Sequence, residues 1–291
     1  MKNLPAWTAH PDVWLLVAVL AVGYWMTIVR IGPRYAVPGR PLVTRLQVAS
    51  WSAGVLAVLV SSDWPVHDLA ERSMYSVHMV QHLLITLIAV PLLLLGTPAW
   101  MARWVLAPGS RRFRTVRWWS RFLPAVIVFN VMLALTHIPA LVTASLENGL
   151  LHFCVHAALL ATAVLVWMPV ASPLPEIPRL SWLPRMVYLF LQSVVPTVPA
   201  SFMTLGSRPL YHAYIGLPHI LGASTLDDQQ IAGLIMKIGA GIFTWSIIAT
   251  IFFKWAAAEE RRQGPQVRRD LDRELSRMTG PAGPAVRGEA R

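Results

Sequence analysis

Residues 74–96 form one long apolar stretch, MYSVHMVQHLLITLIAVPLLLLG, that carries two histidines near its start. A helix of this length crosses the roughly 30 Å hydrocarbon core of a bilayer. Met74, His78, Gln81 and His82 recur at helical spacing, so they share one face of that helix. Polar side chains are expensive inside a membrane. This face therefore predicts a functional site whose partners come from other helices.

Further apolar stretches along the chain have a similar length. They are residues 13–30, 46–62, 122–138, 150–169, 185–205 and 231–253. With 55% hydrophobic and only 13% charged residues, the chain is predicted to be all-α, a polytopic membrane protein with a bundle of seven transmembrane helices. We assign residues 1–253 to this membrane domain and residues 254–291 to a basic, partly disordered tail.

Basic residues predict the orientation of the bundle. Most of the 25 Lys and Arg residues lie in the tail and in the loops after the first, third and fifth spans. The positive-inside rule then places the N-terminus outside and the C-terminus in the cytoplasm. The net charge of +11 is explained by this topology, and some affinity for the anionic headgroups of the lipid bilayer follows from it. No nucleic-acid partner is expected.

Five histidines on three spans are predicted to lie at one membrane depth. His78 and His82 occupy the outer half of the third span, His137 ends the fourth, and His152 and His156 begin the fifth. A single histidine in a membrane is often only an interhelix hydrogen-bonding residue, and this alternative stays open for His137. Each histidine pair costs more desolvation than packing requires. We therefore expect the pairs to form a shared site near the outer face.

The sixth and seventh spans supply further polar and sulfur-containing side chains. They are Gln192 in the sixth span and Asp227, Asp228, Gln229, Gln230 and Met236 in the seventh. At least one of the two aspartates is expected to cap its helix. Lys237 is expected to pair with one of them or to extend to the interface. Gly239 and Gly241 would permit close approach of a neighbouring helix, and Pro196 is expected to kink the sixth span.

The chemistry of these side chains points to a metal. Neutral imidazoles and thioethers on facing helices suit cuprous copper, Cu(I), whereas imidazoles alone also suit zinc or haem iron. Two histidines at i and i+4 can bind one ion from one helix face, and a second pair across the bundle could complete the coordination. Met74 and Met236 are the candidate thioether ligands, with packing as their alternative role. The lone Cys154 allows no intramolecular disulfide and is expected to face away from the histidines.

Three segments resemble the CtaG-type multi-pass bacterial cytochrome c oxidase assembly factors. They are MYSVHMVQHLLITLIAVPLLLLGTP, LHFCVHAALL and DDQQIAGLIM, and the resemblance extends over about residues 51–255. By position, it assigns the family's characteristic polar residues to His78, His82, His152, His156, Asp228, Gln229, Gln230 and Met236. Lys237 departs from the pattern, because such proteins often carry an aromatic residue there.

The resemblance implies a non-enzymatic role in the maturation of a haem–copper oxidase, through delivery or insertion of copper. The implied location is the bacterial plasma membrane. The implied partners are cytochrome c oxidase subunits, the lipid bilayer and a periplasmic copper carrier. Weak and exchangeable binding would suit such a donor.

Other classes of protein are compatible with the same residues. A b-type haem protein would take one axial histidine from the third span and one from the fifth. A metal-dependent membrane enzyme would need an open coordination position and a general base, for which Asp227 and Asp228 are the nearby acidic pair. A proton or metal transporter would need polar residues through the cytoplasmic half of the bundle, where the spans are almost wholly apolar.

Overall fold

The computed structural model describes residues 5–217 and 222–279, and the regular elements in these ranges are all helices. The α-helices are α1 (Pro11–Met26), α2 (Arg45–Ser62), α3 (Val66–Arg72), α4 (Tyr75–Leu83), α5 (Val90–Gly96), α6 (Ala99–Leu106), α7 (Arg111–Trp119), α8 (Phe122–Thr136), α9 (Pro139–Glu147), α10 (Gly149–Ala171), α11 (Trp182–Val194), α12 (Thr197–Leu205), α13 (Thr225–Leu234) and α14 (Ala240–Thr279). Short π-helical segments follow α1, α4 and α13, at Thr27–Ile31, Leu84–Ala89 and Ile235–Gly239. The all-α prediction is confirmed for this part of the chain.

Several helical segments are long and apolar enough to cross a membrane. Those in the described residues are Pro11–Tyr35, Arg45–Arg72, Tyr75–Gly96, Gly149–Ala171, Trp182–Leu205 and Thr225–Gln263. A further candidate is the pair α7 and α8, which bend by 80° relative to each other. The chain therefore has the helices of a multi-pass membrane protein, as predicted.

The fourth predicted span, residues 122–138, is shorter in the structure than a helix that crosses a membrane by itself. It corresponds to α8, which has 15 residues. At 1.5 Å per residue α8 is only about 22 Å long, shorter than the hydrocarbon core. Within the residues that the structure describes, the number of candidate spans is thus six, or seven if the bent pair counts as one. The orientation of the termini stays a prediction.

The third span is not the continuous α-helix that its sequence predicts, because the π-helical segment Leu84–Ala89 separates α4 from α5. A π-helix interrupts the regular hydrogen-bond ladder and frees backbone carbonyl groups for other partners. The indole Nε1 of Trp167 donates to the carbonyl of Thr86 at 2.7 Å, and the Thr86 hydroxyl donates to the carbonyl of His82 at 2.6 Å. These bonds attach α10 to the helix turn that carries His82.

Gly96, at the end of the third span, allows α5 to approach α2 closely. A Cβ atom at Gly96 would lie 2.6 Å from the backbone nitrogen of Trp51, so α5 and α2 meet backbone to backbone there. The hydroxyl of buried Tyr24 donates to the carbonyl of Gly96 at 2.9 Å, and its ring stacks on Trp51 with centroids 4.4 Å apart. These contacts hold α1, α2 and α5 together.

The sixth span is broken at the proline predicted to kink it. Helix α11 ends at Val194, and α12 begins at Thr197 with Pro196 as its N-cap residue. Proline cannot donate a backbone hydrogen bond and clashes with the preceding turn, so the α-helix is interrupted there. A break at Pro196 is therefore present, and both helices still belong to one candidate span, Trp182–Leu205.

The close contact between α12 and α13 occurs at Gly233. A Cβ atom at this position would lie 2.5 Å from Oγ1 of Thr204 and 2.8 Å from the carbonyl oxygen of Ala200. The prediction of close approach at Gly239 and Gly241 is wrong. A Cβ at Gly239 would have its nearest described neighbour at 3.7 Å, and one at Gly241 would have none within 4 Å.

Two compact units divide the chain, one ending at Ser246 and the other beginning at Ile247. The second unit contains the C-terminal part of α14, where residues 271–278 are exposed. The disordered end predicted for the tail falls on residues 280–291, which lie outside the described residues.

Candidate metal site

Three of the predicted histidines come together in the first unit. His78 and His82 on α4 and His156 on α10 each present one ring nitrogen, and these nitrogens lie within 4.8 Å of one another. The ring centroids of His78 and His82 are 4.3 Å apart, and that of His156 lies 4.9 Å from His82 and 5.9 Å from His78. The convergence expected from the sequence is therefore present for these three residues, which we call the histidine trio.

Two nitrogens of the trio have nothing to bond to. Nδ1 of His78 and Nε2 of His82 are buried without a hydrogen-bond partner among the described residues. Leaving a buried polar atom unsatisfied costs about 1–3 kcal/mol, so such atoms call for an explanation. A ligand that accepts their lone pairs would remove this cost.

His152 does not join the trio although it shares a helix face with His156. The two rings stack with centroids 4.3 Å apart and planes inclined by 18°. Nε2 of His152 instead lies 3.2 Å from Oε1 of Glu71, and its Nδ1 lies 3.3 Å from the hydroxyl of Ser145. The predicted His152/His156 pair is thus divided between two sets of partners.

Glu71 and His67 are polar residues of this region that the sequence analysis missed. Both lie on α3, four residues apart, and Nε2 of His67 is 3.4 Å from Oε1 of Glu71. The sequence analysis assigned no role to the loop between the second and third spans, in which they occur. The signal that could have revealed them is their i, i+4 spacing, which is also the spacing of the histidine pairs.

His137 faces a different cavity from the one that the trio lines. A small cavity of about 20 Å³ is lined by the trio and by His152, whereas a larger one of about 70 Å³ is lined by His82 and His137. Nδ1 of His137 lies 2.7 Å from the carbonyl oxygen of Leu133. Its buried Nε2 has no partner in the described part of the chain. Only His82 belongs to both cavities among these histidines.

The methionines predicted as ligands occupy different places. Met236 is buried and lines the larger cavity beside Met79 and His82. Met74 is also buried, but it is the N-cap residue of α4 and is not among the residues that line either cavity. Met236 is therefore the methionine of the two that shares a cavity with a trio residue. Cys154 is exposed, as expected for a residue that faces away from the site.

Asp228 lies on α13 and stabilises the start of α4, which is far from it in sequence. Its carboxylate accepts hydrogen bonds from the backbone N–H of Tyr75 at 2.6 Å and of Ser76 at 3.2 Å, and from the Ser76 hydroxyl. The first N–H groups of a helix have no partner within the helix, and a carboxylate satisfies them well. Asp228 thus fixes the turn that leads to His78, and both of its carboxylate oxygens take part in these bonds.

The neighbours of Asp228 have similar bracing roles. Gln229 accepts from the backbone N–H groups of Leu210 and Tyr211 at 2.7 and 3.2 Å and donates to the Tyr211 carbonyl at 3.1 Å. Gln230 donates to the carbonyl of Gly206 at 3.0 Å. Together these two side chains hold the segment after α12 against α13.

The remaining charged residues here face outward. Asp227 is exposed and forms a capping box with Ser224, as predicted for one of the two aspartates. Lys237 is exposed as well. The predicted pairing of Lys237 with an aspartate is not found among the ion pairs of the described residues, and Asp227 and Asp228 both have other partners.

Gln192 lines the larger cavity from α11. Its Oε1 accepts a hydrogen bond from Nδ2 of Asn130 at 2.9 Å. The buried Nε2 of Gln192 and Oδ1 of Asn130 are without partners among the described residues. Gln192 therefore adds an amide to a cavity lining that also contains the imidazoles of His82 and His137.

Three tyrosines pack beside the trio. Tyr75 lies on α4, and Tyr211 and Tyr214 lie in the segment after α12. Tyr75 stacks on His78 with centroids 5.6 Å apart and packs against Tyr211 and Tyr214 at 4.3 and 5.2 Å. The Tyr211 hydroxyl donates to the carbonyl of His137 and the Tyr214 hydroxyl to that of Ala70, each at 3.0 Å. Burial raises the pKa of Tyr211, so its hydroxyl keeps the proton that it donates. Hydrogen bonds to the carbonyl groups of His137 and Ala70 therefore hold the two tyrosines that pack against Tyr75 beside His78.

A comparison with protein families identifies the class to which this fold and site belong. The model of the cytochrome c oxidase caa3 assembly factor family, Caa3_CtaG, matches residues 13–258. The chain belongs to this family, and the resemblance seen in its sequence is confirmed. Neither a curated protein nor a solved structure gives a significant match to the chain.

Proposed function

We propose that this chain binds Cu(I) at the histidine trio and donates it to a haem–copper oxidase during assembly. The observation that carries the proposal is the convergence of three ring nitrogens within 4.8 Å, two of the three rings having a buried nitrogen without a partner. The family description supplies the client, a caa3 cytochrome c oxidase, whose subunits are the expected partners.

The donor set supports copper in its cuprous state. An ion bound to three imidazoles at about 2.0 Å in a plane holds their nitrogens about 3.5 Å apart. The three nitrogens lie within 4.8 Å of one another, and small rotations of the rings would bring them to this separation. The trio itself contains no carboxylate, and imidazole donors beside buried thioethers such as Met79 and Met236 suit Cu(I) better than hard cations.

A three-coordinate site also suits a donor, because it leaves one position open to an incoming ligand of the acceptor. The exchange can then proceed without release of free ion. The predicted orientation places the trio near the outer face, the side from which a periplasmic copper carrier would load it and from which oxidase copper centres of this type are filled. This role is one of binding and transfer and requires no catalytic step.

The alternative functions find less support in the geometry. Cofactor pockets usually measure about 300–1,000 Å³, and the cavities beside the trio measure about 20 and 70 Å³, which disfavours a b-type haem. An enzyme would use Asp227 or Asp228 as its base, but both carboxylates are engaged as helix caps. Zinc remains the alternative ion for the trio, since imidazoles alone also bind it.

The test is copper binding by the full chain purified in detergent and loaded anaerobically with Cu(I). We expect about one copper per chain, lost in the variant His78→Ala/His82→Ala, because two of three ligands are gone. His212→Ala removes an exposed histidine and serves as the matched control, which should keep its copper. Equal copper in all three proteins, with the fold intact, would refute the trio as the binding site.

The assembly role is tested in cells that depend on this chain for their oxidase. Replacement of the wild-type gene by the His78→Ala/His82→Ala variant should leave oxidase subunits in the membrane with reduced copper content. Normal copper in the oxidase of these cells would contradict delivery by the trio.

A further inference from the structure

Helix α7 is strongly basic and has no acidic neighbours in sequence. Its arginines are Arg111, Arg112, Arg114 and Arg117, and Arg121 follows as the N-cap residue of α8. No Asp or Glu occurs between Glu71 and Glu147. Among the described residues, none of these five arginines forms an ion pair with a carboxylate. The positive charge of α7 is therefore available to an anion from outside the chain.

The direction of α7 places it at the surface of the membrane. Its axis is bent by 80° from that of α8. Since α8 is the apolar helix of this pair and runs across the bilayer, α7 runs nearly parallel to the membrane plane. Arginine is among the least favourable residues in the hydrocarbon core, so α7 cannot lie among the acyl chains. It is instead an interfacial helix, at the level of the lipid headgroups.

Packing on one side of α7 fixes which side faces outward. Phe113 is buried in a core cluster with Ala102 of α6 and Met168 of α10. The hydroxyl of Ser110 caps the helix by accepting a hydrogen bond from the N–H of Phe113 at 3.1 Å. The cap and the anchored ring hold α7 in place. Its arginines, which are all exposed, are therefore presented by a fixed helix.

One exposed face of α7 combines arginines with a tryptophan. Arg111, Arg114 and Trp118 share this face at i, i+3 and i+7, and Arg117 adjoins it three residues after Arg114. The ring of Trp118 is exposed and meets that of Trp119 edge to face, with centroids 4.6 Å apart. Like charges at this spacing repel, and an anion between them removes the repulsion. Guanidinium groups bind phosphate through paired N–H donors, and tryptophan favours the headgroup level.

We infer that Arg111, Arg114 and Arg117 bind the phosphate of an anionic phospholipid, with Trp118 beside them at the headgroup level. An acidic protein surface would offer the same charge, but α7 lies in the plane that phospholipid phosphates occupy, and exposed indole rings fit that plane. The positive-inside prediction assigns the site to the cytoplasmic side, where basic segments next to a span attract anionic lipids. This site does not depend on the function proposed for the trio.

The test is a titration of the full chain in detergent with phosphatidylglycerol, in which native mass spectrometry counts the lipids bound to each chain. Phosphatidylcholine with the same acyl chains is the reference, because its headgroup has no net charge. The wild type should prefer phosphatidylglycerol. The variant Arg111→Gln/Arg114→Gln/Arg117→Gln should lose this preference and bind phosphatidylglycerol more than about tenfold more weakly, because each basic residue near an anionic headgroup strengthens binding roughly fivefold.

The matched control is Arg269→Gln/Arg273→Gln/Arg277→Gln, which removes the same charge from exposed positions of α14 and should bind phosphatidylglycerol as the wild type does. Arg114→Lys keeps the charge but loses the planar pair of donors, so it should weaken binding less than the triple change in α7.

Three results would overturn the inference. The first is equal affinity of the wild type for the two lipids. The second is phosphatidylglycerol binding that the triple change in α7 leaves unaltered; a simultaneous loss of co-purifying oxidase subunits would then assign the arginines to an acidic protein surface. The third is complete displacement of the lipid by inorganic phosphate, which would show a site for a free anion.

Discussion

The bracing of α4 by Asp228 predicts a large effect of a residue outside the trio. The change Asp228→Ala removes the acceptor of three buried donors, which are the N–H groups of Tyr75 and Ser76 and the Ser76 hydroxyl. At the lower limit of about 1 kcal/mol for each unsatisfied donor, the loss is about 3 kcal/mol. For a chain of 291 residues that corresponds to a fall in Tm of roughly 5 °C.

The assay is thermal unfolding of the detergent-purified protein, followed by copper loading below the Tm. Since Asp228 fixes the turn before His78, the variant should also retain less Cu(I) than the wild type. The variant Asp228→Asn keeps one acceptor oxygen, so its Tm and its Cu(I) retention should lie between those of the wild type and those of Asp228→Ala. Asp227→Ala is the control, because that carboxylate is exposed and caps α13 instead. A Tm for Asp228→Ala within about 2 °C of the control would refute the bracing argument.

Other features of the structure give predictions that are simpler to test. Gly233→Ala should destabilise the protein by about 1–3 kcal/mol in thermal unfolding, because the new Cβ would lie 2.5 Å from Oγ1 of Thr204. Gly241→Ala is the control and should destabilise the protein less, because a Cβ there meets nothing within 4 Å. Equal effects of the two changes would contradict the packing of α12 on α13. A reporter that fluoresces only in the cytoplasm, fused after Arg291, should be active if the positive-inside prediction is correct, and a periplasm-specific reporter at the same position should not be. The opposite result would invert the proposed orientation of the trio.

The histidine trio shows which contacts can be predicted from the periodicity of the sequence. The spacing of His78 and His82 places both on one helix face, and the alternation of the spans brings the start of the fifth span to the same level. These two facts predict that the start of the fifth span, with His152 and His156, meets the pair. In the structure His156 does so, whereas His152 does not.

The division between His152 and His156 could not be predicted in the same way. A shared helix face fixes a direction only within about a quarter of a turn, and the choice of partner depends on neighbouring helices. Glu71 draws His152 away because α3 folds beside α10. Nothing in the periodicity of the loop between the second and third spans indicates that contact.

The role of Asp228 was open for a related reason. Its partners, Tyr75 and Ser76, lie more than 150 residues earlier in the chain. An acidic residue near a helix start predicts a cap for its own helix, which is what Asp227 provides. A cap for a distant helix looks identical in sequence, so polar residues that brace the fold were grouped with those of the site.

The most direct test of the trio is X-ray absorption at the copper edge of the Cu(I)-loaded protein, compared with the variant His156→Ala. A copper ion bound by the trio should have about three nitrogen neighbours at roughly 2.0 Å in the wild type and about two in the variant. A first shell dominated by sulfur, or a first shell that is unchanged when His156 is removed, would contradict a copper site built from His78, His82 and His156.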